Sequence, residues 1–205
     1  MTTIDHPADI ETIFVGRRVM AVLRNRSPQD TVALTHSAFD LGIDLVEVPI
    51  QSPAAIPALE ASLGAARDRG RGVGAGTVTT VEQVELCARL GVTFTVAPGL
   101  DAAVVRRSIE LGIPHLPGVA TATEIQHAVA LGCTWLKAFP ATQLGAPWFH
   151  AMVSGPFPAV RLFASGGIST GNAHEFLTAG ASGVAVGSAL EDANQLDALS
   201  RLVLG

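Results

Sequence analysis

The sequence predicts an α/β fold, specifically a closed (β/α)8 TIM barrel, in which eight parallel strands alternate with helices. Short apolar runs alternate with longer helix-like segments along the 205 residues. Many of the helix-like segments end at a Leu-Gly or Ala-Gly pair, where glycine supplies the left-handed turn into the next strand. No G-x-G-x-x-G pattern opens a helix after the first strand, which argues against the alternative fold, an open doubly wound sheet.

The predicted elements follow one another in a regular order. A leading helix over residues 1–18 ends near Gly16. The strands are apolar runs bounded by Gly or Pro, over residues 19–24, 45–50, 72–77, 93–97, 114–118, 135–140, 160–165 and 183–187. The helices cover residues 28–41, 53–69, 80–90, 100–111, 121–131, 147–153 and 171–179, and a last one ends near residue 204. Since no low-complexity linker divides the chain, we expect one barrel domain over residues 1–205.

The composition limits the classes of partner. Hydrophobic residues make up 48% of the chain and charged residues only 15%, against about 25% in an average domain. With so few charged residues, much of a monomer's surface would be apolar. We therefore expect a homo-oligomer, in which another subunit covers part of that surface. The net charge is −5 and no basic tract occurs, so nucleic acid is not an expected partner.

The sequence also limits the compartment. The first ten residues lack the basic and apolar segments of a signal peptide, and no apolar run reaches transmembrane length. Cys87 and Cys133 both fall in or beside predicted helices. We interpret them as reduced core thiols rather than a disulfide, and we expect a cytoplasmic protein without membrane contact.

A lysine occurs inside the apolar run at residues 135–140, Trp-Leu-Lys-Ala-Phe-Pro. Burying an ammonium group without a partner is costly, so Lys137 needs an explanation. An amine has a free pKa of about 10.4, and burial or a nearby cation lowers such a pKa until the amine becomes a nucleophile. The alternatives are a lysine that reaches solvent from the strand end and one that pairs with a buried carboxylate.

Polar residues recur where the predicted strands end. In a barrel all the carboxyl ends face one rim, and active sites are built there. The residues at or near these ends are Arg24, Glu47, Thr77, Pro98, Pro117, Lys137, Ser165 and Ser188. The sequence therefore predicts a site at this rim.

Glu47 is a single charge in an apolar strand, as Lys137 is. Strand alternation places Glu47 on the side of Leu45, and Lys137 on the side of Trp135. The same reasoning puts Thr77 on the side of Val73 and Ala75, so Glu47, Thr77 and Lys137 are predicted to point into the barrel mouth. We interpret the lysine as a nucleophile and the glutamate as a general acid/base, with a purely structural ion pair as the alternative.

Three further features concern anions and metals. Arg24 is either a clamp for a carboxylate or phosphate, or a rim arginine without a ligand. Two glycine loops follow the last two strands, at residues 165–168 and 186–189, and their open amides together with helix starts predict a phosphate site. Its predicted residues are Ser165, Gly166, Gly167, Gly187 and Ser188. The six histidines form no metal motif, so no catalytic metal is expected.

With these residues in place, the chain resembles the pyruvate-specific class I aldolases of the KDPG/KHG family, which cleave 2-keto-3-deoxy-6-phosphogluconate and related keto acids. The resemblance extends over residues 19–190. The similar stretches are AVLR (21–24), LVEVPI (45–50), GAGTV (74–78), VAPGL (96–100), LPGVATATE (116–124), LKAFPA (136–141), GPFPAVRLFASGGI (155–168) and AVGSAL (185–190).

The resemblance implies a (β/α)8 fold, usually in a homotrimer, that works without a cofactor. It implies that Lys137 forms the imine and that Glu47 shuttles protons. The residues that match the pyruvate pocket are Thr77, Pro98 and Phe139, and those that match the phosphate loops are Gly166, Gly167 and Ser188.

One position departs from the gluconate-specific pattern. Gln51 stands where many of those enzymes carry an arginine, four residues after the glutamate. EVPIQSP (47–53) instead resembles the E-I-P-L-N-S-P of the phosphogalactonate branch, as does ATATE (120–124). We therefore expect Gln51 to contact a substrate, which is left open among the phosphogluconate, the phosphogalactonate and 4-hydroxy-2-oxoglutarate.

The resemblance also implies the reaction. Lys137 would attack the C2 ketone of a 2-keto-3-deoxy acid, and Glu47 would take the C4 hydroxyl proton as the C3–C4 bond breaks, which gives pyruvate and an aldehyde. Two other classes stay open: a phosphate-binding barrel isomerase or synthase without an imine, and a keto-acid-binding protein without turnover.

Overall fold

The computed structural model describes residues 10–204, and it shows a parallel α/β barrel. Nine parallel strands form one sheet within this range. They are β1 (Val19–Val22), β2 (Leu45–Pro49), β3 (Gly74–Gly76), β4 (Thr95–Val96), β5 (His115–Leu116), β6 (Gly118–Val119), β7 (Trp135–Ala138), β8 (Arg161–Ser165) and β9 (Gly183–Val186). The predicted fold class is confirmed.

The helices lie between the strands, as predicted. They are α1 (Ile10–Phe14), α2 (Pro28–Asp40), α3 (Ile56–Arg67), α4 (Val81–Leu90), α5 (Ala102–Glu110), α6 (Ala122–Ala130), α7 (Ala141–Leu144), α8 (Ala146–Val153), α9 (Ala173–Thr178) and α10 (Leu196–Leu204). Short 3-10 helices cover Pro53–Ala55, Ser188–Glu191 and Ala193–Gln195. Of the predicted leading helix, residues 1–9 lie outside the described residues. Helix α7 was not predicted from the sequence.

The sheet runs in the order β5-β4-β3-β2-β1-β9-β8-β7-β6, so its two edge strands are consecutive in sequence. Pro117 alone separates β5 from β6, and proline has no N–H to donate to a neighbouring strand. The single predicted strand over 114–118 is therefore two short strands, of which β5 pairs with β4 and β6 pairs with β7. The result is a nearly closed barrel with a seam at Pro117.

Two apolar cores lie on the two sides of the barrel wall. The outer core packs the strands against the helices and contains Val46, Val48, Val73 and Ala75, among others. The inner core fills the barrel, and its buried members are Phe14, Met20, Leu45, Phe94, Val96, Leu116, Trp135, Phe163 and Ala185.

The α1 helix brings an aromatic side chain into the inner core. Phe14 is 1% exposed, and its ring centroid lies 5.2 Å from that of Phe94 and 5.4 Å from that of Trp135. The indole N–H of Trp135 donates to Oε1 of Glu11 over 2.8 Å. Because Trp135 begins β7, these contacts tie α1 to the strand that carries Lys137.

Several helices start with polar caps. Thr80 and Thr121 form reciprocal capping boxes with Gln83 and Glu124, and Asp101 caps α5. The glycines at the predicted helix ends take positive φ, as in Gly91 at the end of α4. These local signals explain why the helix bounds were predicted within a few residues.

Within residues 10–204, no helix is both long enough and apolar enough to cross a membrane.

His115 on β5 gives the fold a predicted acid sensitivity. Burial lowers its pKa from 6.5 to about 4, and one ring nitrogen, Nδ1, lies 2.8 Å from Oγ1 of Thr95. Between pH 6.5 and 4, the imidazole of His115 binds a proton in the unfolded chain but stays neutral in the folded protein. The free energy of unfolding should therefore fall by about 1.4 kcal/mol per pH unit from pH 6.5 to 4, or roughly 3 kcal/mol in all.

The test compares urea unfolding of the wild type and His115→Gln at pH 7, 6 and 5. We expect the variant to be less stable at pH 7 but to lose less stability on acidification. Parallel pH dependences for the two proteins would contradict the assignment to His115.

Candidate functional site

The two charged residues predicted from apolar strands meet inside the barrel. Glu47 on β2 and Lys137 on β7 follow inner-core residues of their strands by two positions. Nζ of Lys137 lies 4.0 Å from Oε1 of Glu47, and the two side chains are 3% and 0% exposed. This distance is longer than a direct hydrogen bond. A proton can still pass between the two groups through one bridging oxygen atom, such as that of a water molecule. The arrangement offers an amine and a carboxylate to the same small volume.

The Glu47 carboxylate is unusual for a buried group. Among the described residues, neither of its oxygens has a hydrogen-bond partner. A buried carboxylate without such partners costs stability, so it calls for an explanation beyond packing. Buried, under-satisfied acids of this kind are candidates for catalysis.

The Lys137 strand continues into an aromatic residue that packs beside the amine. The centroid of the Phe139 ring lies 5.4 Å from Nζ of Lys137. The edge of the same ring would lie 3.0 Å from a Cβ atom placed on Gly166. Phe139 therefore links the lysine to the first of the predicted phosphate loops.

Pro98 lies near the amine's strand through its backbone. On one side of β7, Gly118 is the register partner of Lys137. A Cβ atom on Gly118 would meet the carbonyl carbon and oxygen of Pro98 at 2.2 Å. The absence of a side chain at residue 118 therefore lets the Pro98 backbone approach the lysine strand.

Thr77 follows β3, but the predicted alternation of this strand is wrong in phase. Val73 and Ala75 belong to the outer core, and the inward positions are Gly74 and Gly76. Thr77 has φ 58°, which breaks the strand geometry, so alternation does not determine its direction. A β-branched residue in this region is strained, and such strain clusters at functional sites.

Arg24 and Gln51 lie on the outer part of the rim. Both are exposed, and Arg24 lies two residues beyond the end of β1. Arg24 makes no hydrogen bond or ion pair with the residues that the structure describes. Nε2 of Gln51 donates a hydrogen bond to Oδ1 of Asn25, which has φ 56°. The structure therefore gives Gln51 a fixed partner and leaves Arg24 as a predicted residue without a contact in the site.

The two glycine loops lie at the ends of β8 and β9. Ser165 ends β8 and is 6% exposed, and Gly166 and Gly167 follow with φ 96° and 77°. Gly187 and Ser188 are exposed after β9, where the 3-10 helix Ser188–Glu191 begins.

The helix after β8 starts later than the sequence suggested. α9 begins at Ala173, and Asn172 closes the intervening loop by donating to the carbonyl of Gly167 over 3.0 Å.

Within residues 10–204, no cluster of three or more His, Cys, Asp or Glu side chains could hold a metal ion.

Two residues in this region, Gly76 and Thr142, were not among the predicted site residues. A Cβ atom on Gly76 would lie 1.8 Å from Oε1 of Glu47, so Gly76 makes room for the carboxylate. A Cβ atom on Gly167 would lie 2.3 Å from Oγ1 of Thr142, so helix α7, which was not predicted, packs on the predicted phosphate loop. The Gly-Ala-Gly pattern of β3 could have indicated the first, because it leaves one face of the strand without side chains.

Comparisons with known proteins bear on the family and the fold of this chain. Residues 10–202 match the family model described as KDPG and KHG aldolase. The 2-dehydro-3-deoxy-6-phosphogalactonate aldolase of Escherichia coli K12 is 34% identical over 177 residues, 86% of each chain. The 2-dehydro-3-deoxy-phosphogluconate aldolase of Treponema pallidum (strain Nichols) is 35% identical over 160 residues, which is 78% of this chain and 75% of that protein.

A solved structure adds the fold and a bound intermediate. It is the KDPG aldolase of Legionella pneumophila, with pyruvate captured at low pH as a covalent carbinolamine. It superposes with a TM-score of 0.81 at 28% identity and covers 96% of this chain and 97% of that one. The match over residues 10–202, the barrel and the identities of 34% and 35% lead to one conclusion: this chain belongs to the KDPG/KHG aldolase family, whose members are carbon–carbon lyases.

Proposed function

We propose that this aldolase acts through an imine at Lys137, with Glu47 as its general acid/base. The observation that carries the proposal is the buried pair at 4.0 Å, formed by the only lysine of the sequence and an otherwise unpartnered carboxylate. The carbinolamine of pyruvate in the Legionella enzyme supports covalent chemistry in this family.

The reaction begins at the amine. The unprotonated amine of Lys137 attacks the C2 ketone of a 2-keto-3-deoxy acid, and the resulting carbinolamine loses water to give an imine. Glu47 removes the C4 hydroxyl proton, the C3–C4 bond breaks, and its electrons move into the imine to form an enamine. The aldehyde leaves, C3 of the enamine takes up a proton, and water releases pyruvate from Lys137.

The proposed substrates are 2-keto-3-deoxy-6-phosphogluconate or its galactonate epimer, which yield pyruvate and glyceraldehyde 3-phosphate. Relatives with both specificities are about equally similar to this chain. Cleavage of 4-hydroxy-2-oxoglutarate to pyruvate and glyoxylate is a further proposed activity, because the KHG/KDPG aldolase of Escherichia coli K12 is 28% identical. Thr77, Pro98 and Phe139 are proposed to line the pyruvate pocket, with Arg24 at an anionic end of the substrate.

The protein is further proposed to be a cytoplasmic homotrimer with one barrel domain per chain. Cys87 and Cys133 are both free, which agrees with a reducing compartment. Ile109 on α5 and Val129 on α6 are 60% and 46% exposed. These apolar side chains fit a helical face that another subunit covers.

The experiment that tests the imine is reductive trapping. The protein is incubated with pyruvate and sodium borohydride, and we expect one reduced pyruvate per chain, located at Lys137 by peptide mass spectrometry. A phosphate-binding isomerase or a binding protein without covalent chemistry would give no adduct, and that result would refute the proposal.

The phosphate loops lead to a prediction about Ser188. A carboxylate at this exposed position would repel the substrate phosphate from the amides of Gly166, Gly167 and Gly187. Ser188→Asp should therefore raise KM for a phosphorylated substrate by about 10-fold or more, the size of a charged hydrogen-bond loss. Ser188→Asn is the matched neutral control. Assays of 4-hydroxy-2-oxoglutarate should show little change, and equal effects on both substrates would contradict the assignment.

Gln51 leads to a prediction about the C4 configuration. Its amide is neutral, both donates and accepts, and is held by Asn25. Such a group discriminates weakly between epimers, so we expect cleavage of both phosphorylated substrates, with kcat/KM values within about 10–100-fold. The measurement couples pyruvate release to lactate dehydrogenase for each epimer. A preference above about a thousandfold would show that residues other than Gln51 determine the choice.

A further inference from the structure

The β3 strand contributes no side chain to the barrel interior. Its two inward positions are Gly74 and Gly76, and each leaves room for a residue of a neighbouring strand. A Cβ atom on Gly74 would lie 2.3 Å from the ring of Phe94. One on Gly76 would lie 1.8 Å from Oε1, 2.5 Å from Cδ and 2.8 Å from Cγ of Glu47. The glycine face of β3 is therefore divided between the inner core and the candidate catalytic carboxylate.

Gly76 is not required by the backbone. It pairs in register with Pro49, and its carbonyl accepts a hydrogen bond from the N–H of Ile50 over 2.8 Å. Its φ is not in the left-handed region, which alanine would avoid. The three atoms nearest to an added Cβ all belong to Glu47. The absence of a side chain at Gly76 therefore avoids a steric clash with this one side chain.

Packing determines where the Glu47 carboxylate lies. Neither oxygen has a hydrogen-bond partner among residues 10–204, and the nearest cation is the Lys137 amine at 4.0 Å. A group without hydrogen bonds is held by the surfaces around it, and on the side of Gly76 an added Cβ atom would lie 1.8 Å from Oε1. A methyl group there would push the carboxylate away from its present position.

We propose that Gly76 is a positioning residue, whose missing side chain allows the Glu47 carboxylate to stand within reach of Lys137. The inference rests on the proposed role of Glu47 as general acid/base. Strand β3 carries no reactive group in the barrel. Its role in this proposal is to set the distance between Glu47 and Lys137.

The experiment measures proton transfer and imine formation separately. Gly76→Ala should lower kcat for cleavage, and the rate of deuterium exchange at the pyruvate methyl group, by roughly 10²-fold, the lower end of general acid–base contributions. KM and the final extent of borohydride trapping at Lys137 should stay near their wild-type values. Gly74→Ala is the matched control for crowding: Gly74 pairs in register with Glu47, but the three atoms nearest to its added Cβ all belong to Phe94. It should lower stability more than it lowers the exchange rate.

A double-mutant cycle tests whether Gly76 acts through Glu47. In the Glu47→Ala background no carboxylate remains to be displaced, so adding Gly76→Ala should change the residual rate less than about 2-fold. A loss of the same size in both backgrounds, or a Gly76→Ala enzyme with near-normal turnover, would overturn the proposal. Should Glu47→Ala itself keep normal turnover, the proposed role of Glu47 fails instead.

Folding of the variants also gives a decisive outcome. If Gly76→Ala does not fold but Gly76→Ala with Glu47→Ala does, the collision with Glu47 is demonstrated directly. If neither folds, Gly76 is required for the structure of strand β3 and not for the position of the Glu47 carboxylate, and the proposal is overturned.

Discussion

Lys137→Arg is expected to abolish cleavage, with a loss in kcat of at least about 10⁴-fold. Arginine keeps a positive charge opposite Glu47, but its guanidinium stays protonated and cannot form the imine. The barrel should survive, because the charge and most of the aliphatic stem are retained. The measurement is pyruvate release from the phosphorylated substrate, coupled to lactate dehydrogenase.

The same variant makes trapping specific. Lys137 is the only lysine among 205 residues, so the arginine variant retains no side-chain amine. Its pyruvate adduct should disappear, while circular dichroism shows an unchanged fold. An adduct that persists, or cleavage within about 10-fold of the wild-type rate, would show that another group carries the reaction.

Glu47→Gln is expected to lower kcat by roughly 10²–10⁴-fold, because glutamine fills the same volume but cannot accept a proton. It should still fit over Gly76 and leave the barrel intact. Since the amine is unchanged, borohydride should still trap pyruvate at Lys137, although proton exchange at the pyruvate methyl group should be slow. Loss of exchange with retained trapping would separate the two roles.

A surface carboxylate provides the control for this change. Glu85 on α4 is partly exposed and pairs with Arg107 at 2.9 Å, outside the barrel. Glu85→Gln should leave turnover unchanged and alter stability by less than about 1 kcal/mol. Near-normal turnover in a folded Glu47→Gln enzyme would make the buried carboxylate a structural group.

The buried pair of Glu47 and Lys137 could be predicted from sequence because its signal is strong. A charged residue inside an apolar strand is rare, and here two such residues of opposite charge lie in different strands of the same predicted barrel. Alternation within β2 and β7 then gave the correct side, since Leu45 and Trp135 lie in the inner core. Membership of one barrel converts a large separation in sequence into a short distance in space.

Other features depend on tertiary packing and gave no such signal. Alternation was wrong in phase for β3, because its outward residues are apolar and its inward ones are glycines that serve Phe94 and Glu47. The apolar run could not show that neighbouring strands fill this space. The short helix α7 was missed for a related reason, since a four-residue segment shows no helical period.

The seam at Pro117 makes the barrel wall mechanically uneven around Lys137. On one side β7 pairs in register with β8 through residues 135–138, and on the other it pairs with the two-residue strand β6, while the N–H of Lys137 donates to the carbonyl of Pro117. β6 pairs in register with β7 at two positions and β8 pairs with β7 at four, so we expect the amide protons of β6 to exchange with solvent sooner than those of β8. Lys137 therefore lies between a longer and a shorter strand pairing, and we expect the wall to open locally on the side of the shorter one first.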